Sequence, residues 1–192
     1  MRTPLYIRFT VWVWLIAALV AGNQQWLGRL PAPAGPALIL VLTGLLLVCY
    51  AAAPGFRAWI DALDLRALVL LHVTRLVGIY FLLLYQRGEL PYAFAVPGGW
   101  GDITVAVLAI LVCVVPLADA NRRRAVTIWN ALGFVDILLV VLTAARLGLE
   151  NRWQMRALTY LPLSLLPTFL VPIIIATHVM IFQRLRRETV SA

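Results

Sequence analysis

Long apolar stretches separated by short segments rich in arginine, proline or glycine make up almost the whole chain. Six stretches are long enough to cross a bilayer as helices, since its hydrocarbon core needs about 20 helical residues. They cover residues of about 7–22, 36–53, 67–86, 102–118, 125–146 and 158–183. Strands of a membrane barrel would instead alternate in blocks of about ten residues. The pattern predicts an all-α, polytopic bundle of six transmembrane helices in one domain, residues 1–192.

The segment between the second and third stretches has a different pattern. Large apolar residues recur there at helical spacing, whereas charged residues take the other faces: Phe56, Trp59, Ile60 and Leu63 against Arg57, Asp61 and Asp64. An amphipathic pattern of this kind predicts a short helix lying in the cytoplasmic interface. Asp64 is then a suitable N-cap for the third span.

Composition supports the membrane assignment, since 63% of the residues are hydrophobic and only 12% are charged. The spans leave no room for a separate soluble domain. The motifs GxGxxG, Walker A, GxSxG and HExxH do not occur in the sequence. Nucleotide-driven, serine-hydrolase and zincin chemistries therefore have no local support, and the sequence leans against an enzyme without excluding one.

All 16 basic residues are arginine, and their positions predict the orientation. With the N-terminus inside, ten lie in cytoplasmic segments: Arg2, Arg8, Arg57, Arg66, Arg122, Arg123, Arg124, Arg184, Arg186 and Arg187. Five lie outside: Arg29, Arg87, Arg146, Arg152 and Arg156. Both termini are therefore expected in the cytoplasm. Because the arginines flank spans, the net charge of +8 points to membrane lipids and not to nucleic acid as a partner.

Ionisable residues inside the apolar stretches are the strongest functional signal. A charged side chain at the centre of a membrane helix costs about 2.5–3.5 kcal/mol on insertion scales, so such residues usually face the bundle interior. His72 and Arg75 lie one turn apart on the third span and share a face. Asp136, near the middle of the fifth span, is the expected partner of Arg75. Such a pair either holds helices in register or belongs to an ion or proton pathway.

The segment 88–102 is rich in turn residues but too apolar for an ordinary solvated loop, and it is expected to dip partly into the membrane from the outer side. Asp102, at its end, either caps the fourth span or binds an ion or ligand. In the sixth stretch Pro162, Pro167 and Pro172 each remove a backbone donor, so a kinked or broken helix is expected.

The two histidines, His72 and His178, are each six residues from a predicted cytoplasmic edge, and so at similar depth. They are candidate ligands for haem or a metal ion, since neutral imidazole suits both. No CxxCH or paired HxxxH spacing accompanies them, and Cys49 and Cys113 lack metal-binding spacing. No cofactor and no metal site is therefore predicted.

Four segments carry a family resemblance: LHVTRLVG at 71–78, GELPYAFAVPGGWGD at 88–102, WNALGFVD at 129–136, and LPTFLVP at 166–172 followed by His178. Together they resemble an uncharacterised family of small bacterial multi-pass proteins, and the resemblance implies the inner (plasma) membrane of a bacterium. The resemblance implies that these segments form one functional unit. It implies no activity.

These observations lead to one functional hypothesis and two alternatives. The hypothesis is a membrane protein that binds or conducts a small solute or a proton through a polar cluster: His72, Arg75, Asp102, Asn130, Asp136 and His178. The alternatives are a haem- or metal-binding membrane enzyme using His72 and His178, and a structural or accessory subunit of a membrane complex. Whether the chain forms a homo-oligomer or binds a partner subunit is left open.

Overall fold

The computed structural model describes residues 3–190, with the backbone alone at Asp119 and at residues 188–190. Arg2, counted above among the cytoplasmic arginines, lies outside this range. The described residues form α-helices, 3-10 helices and one π-helix, and they contain no β-strand. Six of the helical segments are long and apolar enough to cross a membrane. The prediction of an all-α protein with six such helices is confirmed.

Nine α-helices occur within the described part of the chain: α1 (Leu5–Asn23), α2 (Trp26–Arg29), α3 (Ala34–Ala52), α4 (Pro54–Ala62), α5 (Leu65–Leu70), α6 (Gly78–Gln86), α7 (Tyr92–Val114), α8 (Asp119–Glu150) and α9 (Val171–Val190). A 3-10 helix, Leu71–Val77, joins α5 to α6, and another covers Arg152–Thr159. A π-helix, Leu166–Leu170, leads into α9. The six candidate spans are α1, α3, Leu65–Gln86, α7, Ala120–Glu150 and Leu166–Arg187.

The expected short helix after the second span is present as α4. It begins at Pro54, whose fixed φ suits the first helical position. The lack of an N–H costs nothing there, because a backbone N–H at this position would have no partner within the helix. Asp64 then caps α5, since its side chain accepts a hydrogen bond of 2.9 Å from the backbone N–H of Arg66. The capping role predicted for Asp64 is confirmed. The position of α4 in the membrane interface remains a prediction.

The fourth span differs from the expectation, because the segment predicted to be an irregular outer loop is helical. The turn after α6 closes at Gly88, which has a φ of 72° that glycine adopts without strain. α7 begins at Tyr92 and contains Pro97. Pro97 removes one donor but does not end the helix, a situation that membrane helices tolerate. The apolar pattern had placed the start of this span at residue 102. In the structure the span starts ten residues earlier, at Tyr92.

The sixth span also begins later than expected, at Leu166 and not near residue 158. Pro162 lies in the turn before the span, Pro167 in the π-helix and Pro172 at the start of α9. The predicted interruption by prolines is thus present as a change from turn to π-helix to α-helix. Leu166–Arg187 is also the most buried of the six candidate spans.

The chain divides into two compact units. The first comprises Met1–Leu63 and Ala144–Ala176. In this unit Trp14 of α1 donates from its indole Nε1 to the carbonyl oxygen of Thr168, at 2.8 Å. Thr168 lies four residues before Pro172, which has no N–H to donate to that carbonyl in a helical ladder. Trp14 therefore supplies the donor that the proline lacks, and its ring also packs edge-on against Phe169.

The second unit comprises Asp64–Thr143 and Thr177–Ala192. Here α6 and the preceding 3-10 helix pack closely against α7. A Cβ atom on Gly78 would overlap the backbone oxygen of Gly99, and one on Gly99 would lie 2.9 Å from the oxygen of Gly78. The two helices therefore touch backbone to backbone, as small residues permit in membrane bundles. All the ionisable residues singled out within the spans belong to this unit.

Trp14→Phe tests the hydrogen bond that the Trp14 indole donates to the carbonyl of Thr168. The ring contact with Phe169 is largely retained, but the carbonyl of Thr168 loses the hydrogen bond from the indole, which costs about 0.5–1.5 kcal/mol. For a chain of this size we expect the thermal midpoint in detergent to fall by about 2–4 °C per kcal/mol. Trp12→Phe on the same helix is the control, because Trp12 is 61% exposed. Equal midpoints for the two variants would contradict this role of Trp14.

Candidate functional site

The third span places its polar residues through the 3-10 helix Leu71–Val77. A 3-10 helix has three residues per turn, so side chains at i and i+3 stand directly above one another. His72, Arg75 and Gly78 follow this spacing, and all three are buried. The segment therefore presents an imidazole, a guanidinium and a close-packing glycine on one line facing the interior of the second unit.

Arg75 is the centre of a three-helix network and is only 1% exposed. Its Nε donates to Oδ1 of Asp102 on α7 at 2.6 Å. Its Nη1 donates to the backbone oxygen of Gly133 on α8 at 2.9 Å. Its Nη2 donates to Oδ2 of Asp136, also on α8. The expected pairing of Arg75 with Asp136 is thus present, and every guanidinium nitrogen has a protein acceptor.

Asp102 occupies a different place from the one expected. The sequence placed it at the end of an outer loop, opposite the polar cluster, as a cap of the fourth span or an ion-binding residue. Because α7 begins at Tyr92, Asp102 lies inside the helix and not at its first turn. Its carboxylate accepts from Arg75 instead of capping a helix end. It is a full member of the cluster.

Glycines make room for this network. A Cβ atom on Gly101 would overlap Oδ1 of Asp136, so the carboxylate lies directly against the α7 backbone. A Cβ on Gly78 would come within 2.9 Å of the Asp102 Cβ. The glycine-rich run before Asp102 therefore belongs to α7, the helix against which Arg75 and Asp136 pack. The absence of side chains at these glycines leaves room for the two polar groups.

The two histidines lie side by side. The ring centroids of His72 and His178 are 4.2 Å apart, with the planes tilted by 49°. Trp129 packs against both rings, and its ring centroid lies 5.0 Å from that of His72 and 5.7 Å from that of His178. Its own indole N–H donates to the backbone oxygen of Val105 at 3.0 Å, which holds the tryptophan in place. The similar depth inferred for the histidines corresponds to direct contact.

Asn130 and Thr177 are the hydrogen-bond partners of the imidazoles. Asn130 is fully buried; its Nδ2 donates to the backbone oxygen of His178 at 3.0 Å, and its Oδ1 lies 2.8 Å from Nδ1 of the same residue. Nε2 of His72 lies 3.3 Å from the hydroxyl of Thr177. Sequence reasoning missed Thr177, since a threonine in an apolar run gives no distinguishing signal. Its place beside His178 was the one available hint.

Each distinctive residue of the segment 129–136 makes a specific contact in the site. Trp129 packs on the imidazoles, Asn130 holds His178, and Asp136 pairs with Arg75. Gly133 joins the two groups, because its carbonyl accepts from Arg75 while a Cβ on its Cα would lie 2.8 Å from Cε1 of His178. The ion-pair network and the histidine pair are therefore adjacent.

Haem does not fit between the histidines. Rings with centroids 4.2 Å apart are already in contact, whereas axial ligands must stand on opposite sides of a porphyrin. Among the residues that the structure describes, no group of three or more His, Cys, Asp or Glu side chains could hold a metal ion. The carboxylates nearest the histidines are engaged by Arg75. The contact between the rings is therefore incompatible with a haem held between the two histidines.

The arrangement is instead suited to charge exchange. One guanidinium faces two carboxylates, so the network carries a formal charge of −1 when both acids are ionised. An uncompensated charge inside a membrane protein is costly, and one proton or one cation would remove it. A neutral imidazole ring carries one nitrogen that can accept a proton, so the adjacent histidines supply acceptor atoms for such an exchange.

Gly133→Ala tests the contact between the network and the histidines. The added methyl group would meet His178 Cε1 at 2.8 Å and Val105 Cγ1 at 3.0 Å, neither being the end of a long flexible chain. Overpacking of this kind costs about 1–3 kcal/mol, so a lower thermal midpoint in detergent is expected. Gly44→Ala on α3 is the control, since nothing lies within 4 Å of its added Cβ. Equal stability of the two variants would contradict the tight fit at Gly133.

Comparison with known proteins adds a family and no activity. No curated protein and no solved structure matches the chain. The model of a domain of unknown function, DUF8737, matches residues 32–186, and this range contains every residue of the cluster. The match is consistent with the resemblance to an uncharacterised family. The chain belongs to the DUF8737 family.

Proposed function

We propose that the protein binds or conducts a proton, or a small solute together with a proton, through the polar cluster of His72, Arg75, Asp102, Asn130, Asp136 and His178. Asp136 exchanges the proton with one of the histidines, and Arg75 sets the local charge. The observation that carries the proposal is the unequal count of one buried guanidinium and two carboxylates in contact with it.

Unequal access supports the assignment of roles within this cluster. The side chain of Asp136 is 23% exposed, whereas that of Asp102 is 4% exposed, although both bind the same guanidinium. A group that exchanges protons needs a route to its surroundings, and a group that only balances charge does not. Asp136 is therefore assigned the exchanging role and Asp102 the fixed counter-charge.

Asp136→Asn removes the exchangeable proton but keeps the shape and an acceptor oxygen for Arg75. In proteoliposomes loaded with a pH-sensitive dye, we expect the wild-type chain to carry a pH-dependent proton flux. The variant should fall to the rate of protein-free vesicles over the same pH range. The amide cannot release a proton as the carboxyl group does, which is the physical reason for the loss.

Glu150→Gln is the matched control for this experiment. Glu150 lies on the same helix, its side chain is 57% exposed, and its carboxylate is 3.8 Å from Nε of Arg146. Surface pairs of this kind contribute little, so flux should stay at the wild-type level. Flux that survives in Asp136→Asn, or that is equally lost in both variants, rules out the proposed role of Asp136.

A second candidate function, a structural or accessory subunit, is favoured by one specific observation. Each nitrogen of the Arg75 guanidinium already has a protein acceptor, as a network that only holds three helices in register would require. In such a subunit the three charged residues would contribute to stability only by pairing with one another. Replacing all of them by apolar residues would then preserve the protein and its assembly with a partner.

Combined substitution separates the two candidates. Arg75→Met alone leaves two buried carboxylates without their cation and should cost about 3–5 kcal/mol of stability. Combining it with Asp102→Leu and Asp136→Leu should restore the thermal midpoint, because no unpaired charge remains. We expect this triple variant to be folded but without flux. A folded triple variant with unchanged flux would assign the network a structural role alone.

The same reasoning extends to the location of the protein. We propose a bacterial inner (plasma) membrane with both termini in the cytoplasm, supported by the distribution of arginines among the segments that flank the spans. The six candidate spans imply contact with lipid, and a homo-oligomer or a partner subunit is compatible with this placement. A single domain over residues 1–192 remains part of the proposal.

A further inference from the structure

Each of the two buried imidazoles has a ring nitrogen without a hydrogen-bond partner. These atoms are Nδ1 of His72 and Nε2 of His178, and both residues are completely buried within the described part of the chain. Buried polar atoms without a partner are uncommon in folded proteins, and each calls for a physical explanation. The two atoms differ, because only in His178 do the hydrogen bonds determine which nitrogen carries the hydrogen.

Asn130 determines the tautomer of His178 through two contacts. The backbone oxygen of His178 can only accept, so the Asn130 amide must present its NH₂ group there, at 3.0 Å. The amide oxygen then faces Nδ1 of the ring, at 2.8 Å. Since this oxygen can only accept as well, Nδ1 must carry the hydrogen. In the neutral ring the lone pair is therefore on Nε2, the atom without a partner.

The position of Nε2 places that lone pair next to the ion-pair network. A Cβ built on Gly133 would lie 3.2 Å from it, and the carbonyl of Gly133 accepts from Arg75. The charged and titratable groups around His178 come from three elements. They are His72 and Arg75 on the third span, Asp102 on α7 and Asp136 on α8. On its own helix the first arginine is Arg184, six residues further along.

We infer that Asn130 locks His178 as the Nδ1–H tautomer and that Nε2 of His178 is the atom that accepts the proton in this cluster. The second half of the inference rests on the proposed function. In the transfer the O–H bond of the Asp136 carboxylic acid breaks, leaving its electron pair on the carboxylate oxygen, and an Nε2–H bond forms. The imidazolium then balances the formal charge of −1 left by two carboxylates and one guanidinium.

Nitrogen NMR on the full chain in lipid bilayers tests the tautomer directly. The sequence contains only two histidines, so ¹⁵N-histidine labelling gives four ring signals, provided that the affinity tag lacks histidine. His72→Gln assigns the pair belonging to His178. A protonated ring nitrogen and one with a lone pair resonate far apart. At neutral pH we expect Nδ1 of His178 to be protonated and Nε2 to carry the lone pair.

Three further variants separate a positioning role of Asn130 from a merely structural one. Asn130→Ala should give a mixture of tautomers at His178 and flux that no longer follows the wild-type pH profile. Asn130→Asp keeps an acceptor oxygen opposite Nδ1, and its second oxygen, when protonated, can donate to the backbone oxygen of His178 as the amide does. This variant should retain the Nδ1–H tautomer, which also keeps the test decisive if the alanine variant does not fold. Thr177→Val removes the hydroxyl beside His72 and should leave the His178 signals unchanged.

The outcomes distinguish the inference from the proposed function. A protonated Nε2 in the neutral wild-type ring, or an unchanged tautomer in Asn130→Ala, overturns the lock. If the lock is found but Asp136→Asn retains flux, the proposed function fails and the tautomer assignment stands. If Asp136→Asn abolishes flux while Asn130→Ala keeps the wild-type pH profile, the function stands and Nε2 is not the acceptor.

Discussion

The buried guanidinium of Arg75 is the constraint on which the second unit depends. Arginine stays protonated at any physiological pH, so it cannot reduce its burial cost by becoming neutral. It must be surrounded by acceptors, and it takes them from two carboxylates and one backbone carbonyl on two other helices. The third, fourth and fifth spans are therefore tied together at one point, and the glycines around that point are a consequence of it.

Sequence reasoning reached the helical class, the six spans and the pairing of Arg75 with Asp136 for one physical reason. An ionisable side chain in an apolar helix is costly unless it is paired, so its partner can be sought among the few other such residues. The same logic brought His72 and His178 together by their depth. Both conclusions needed only span lengths and a short inventory of polar residues.

The remaining parts of the site depended on backbone detail that the apolar pattern does not contain. Glycine and proline usually mark turns, so the run before Asp102 was interpreted as a loop, whereas in the structure it is helical and Gly99 packs on Gly78. That error moved Asp102 to a helix end and away from Arg75. Likewise, the 3-10 geometry that aligns His72 with Arg75 has no signature in hydrophobic periodicity.

The cluster divides into a saturated part and an unsaturated part, and this division bears on mechanism. Each guanidinium nitrogen of Arg75 has a hydrogen-bond acceptor, so the side chain is held in a fixed position and provides a fixed positive charge. The imidazoles each retain an unpartnered nitrogen in the same interior. If the site had only to join helices, apolar residues at 72 and 178 would serve without leaving polar atoms unsatisfied. In the proposed function the unpartnered Nε2 of His178 is the atom that binds the proton, next to the negative charge of the ion-pair network.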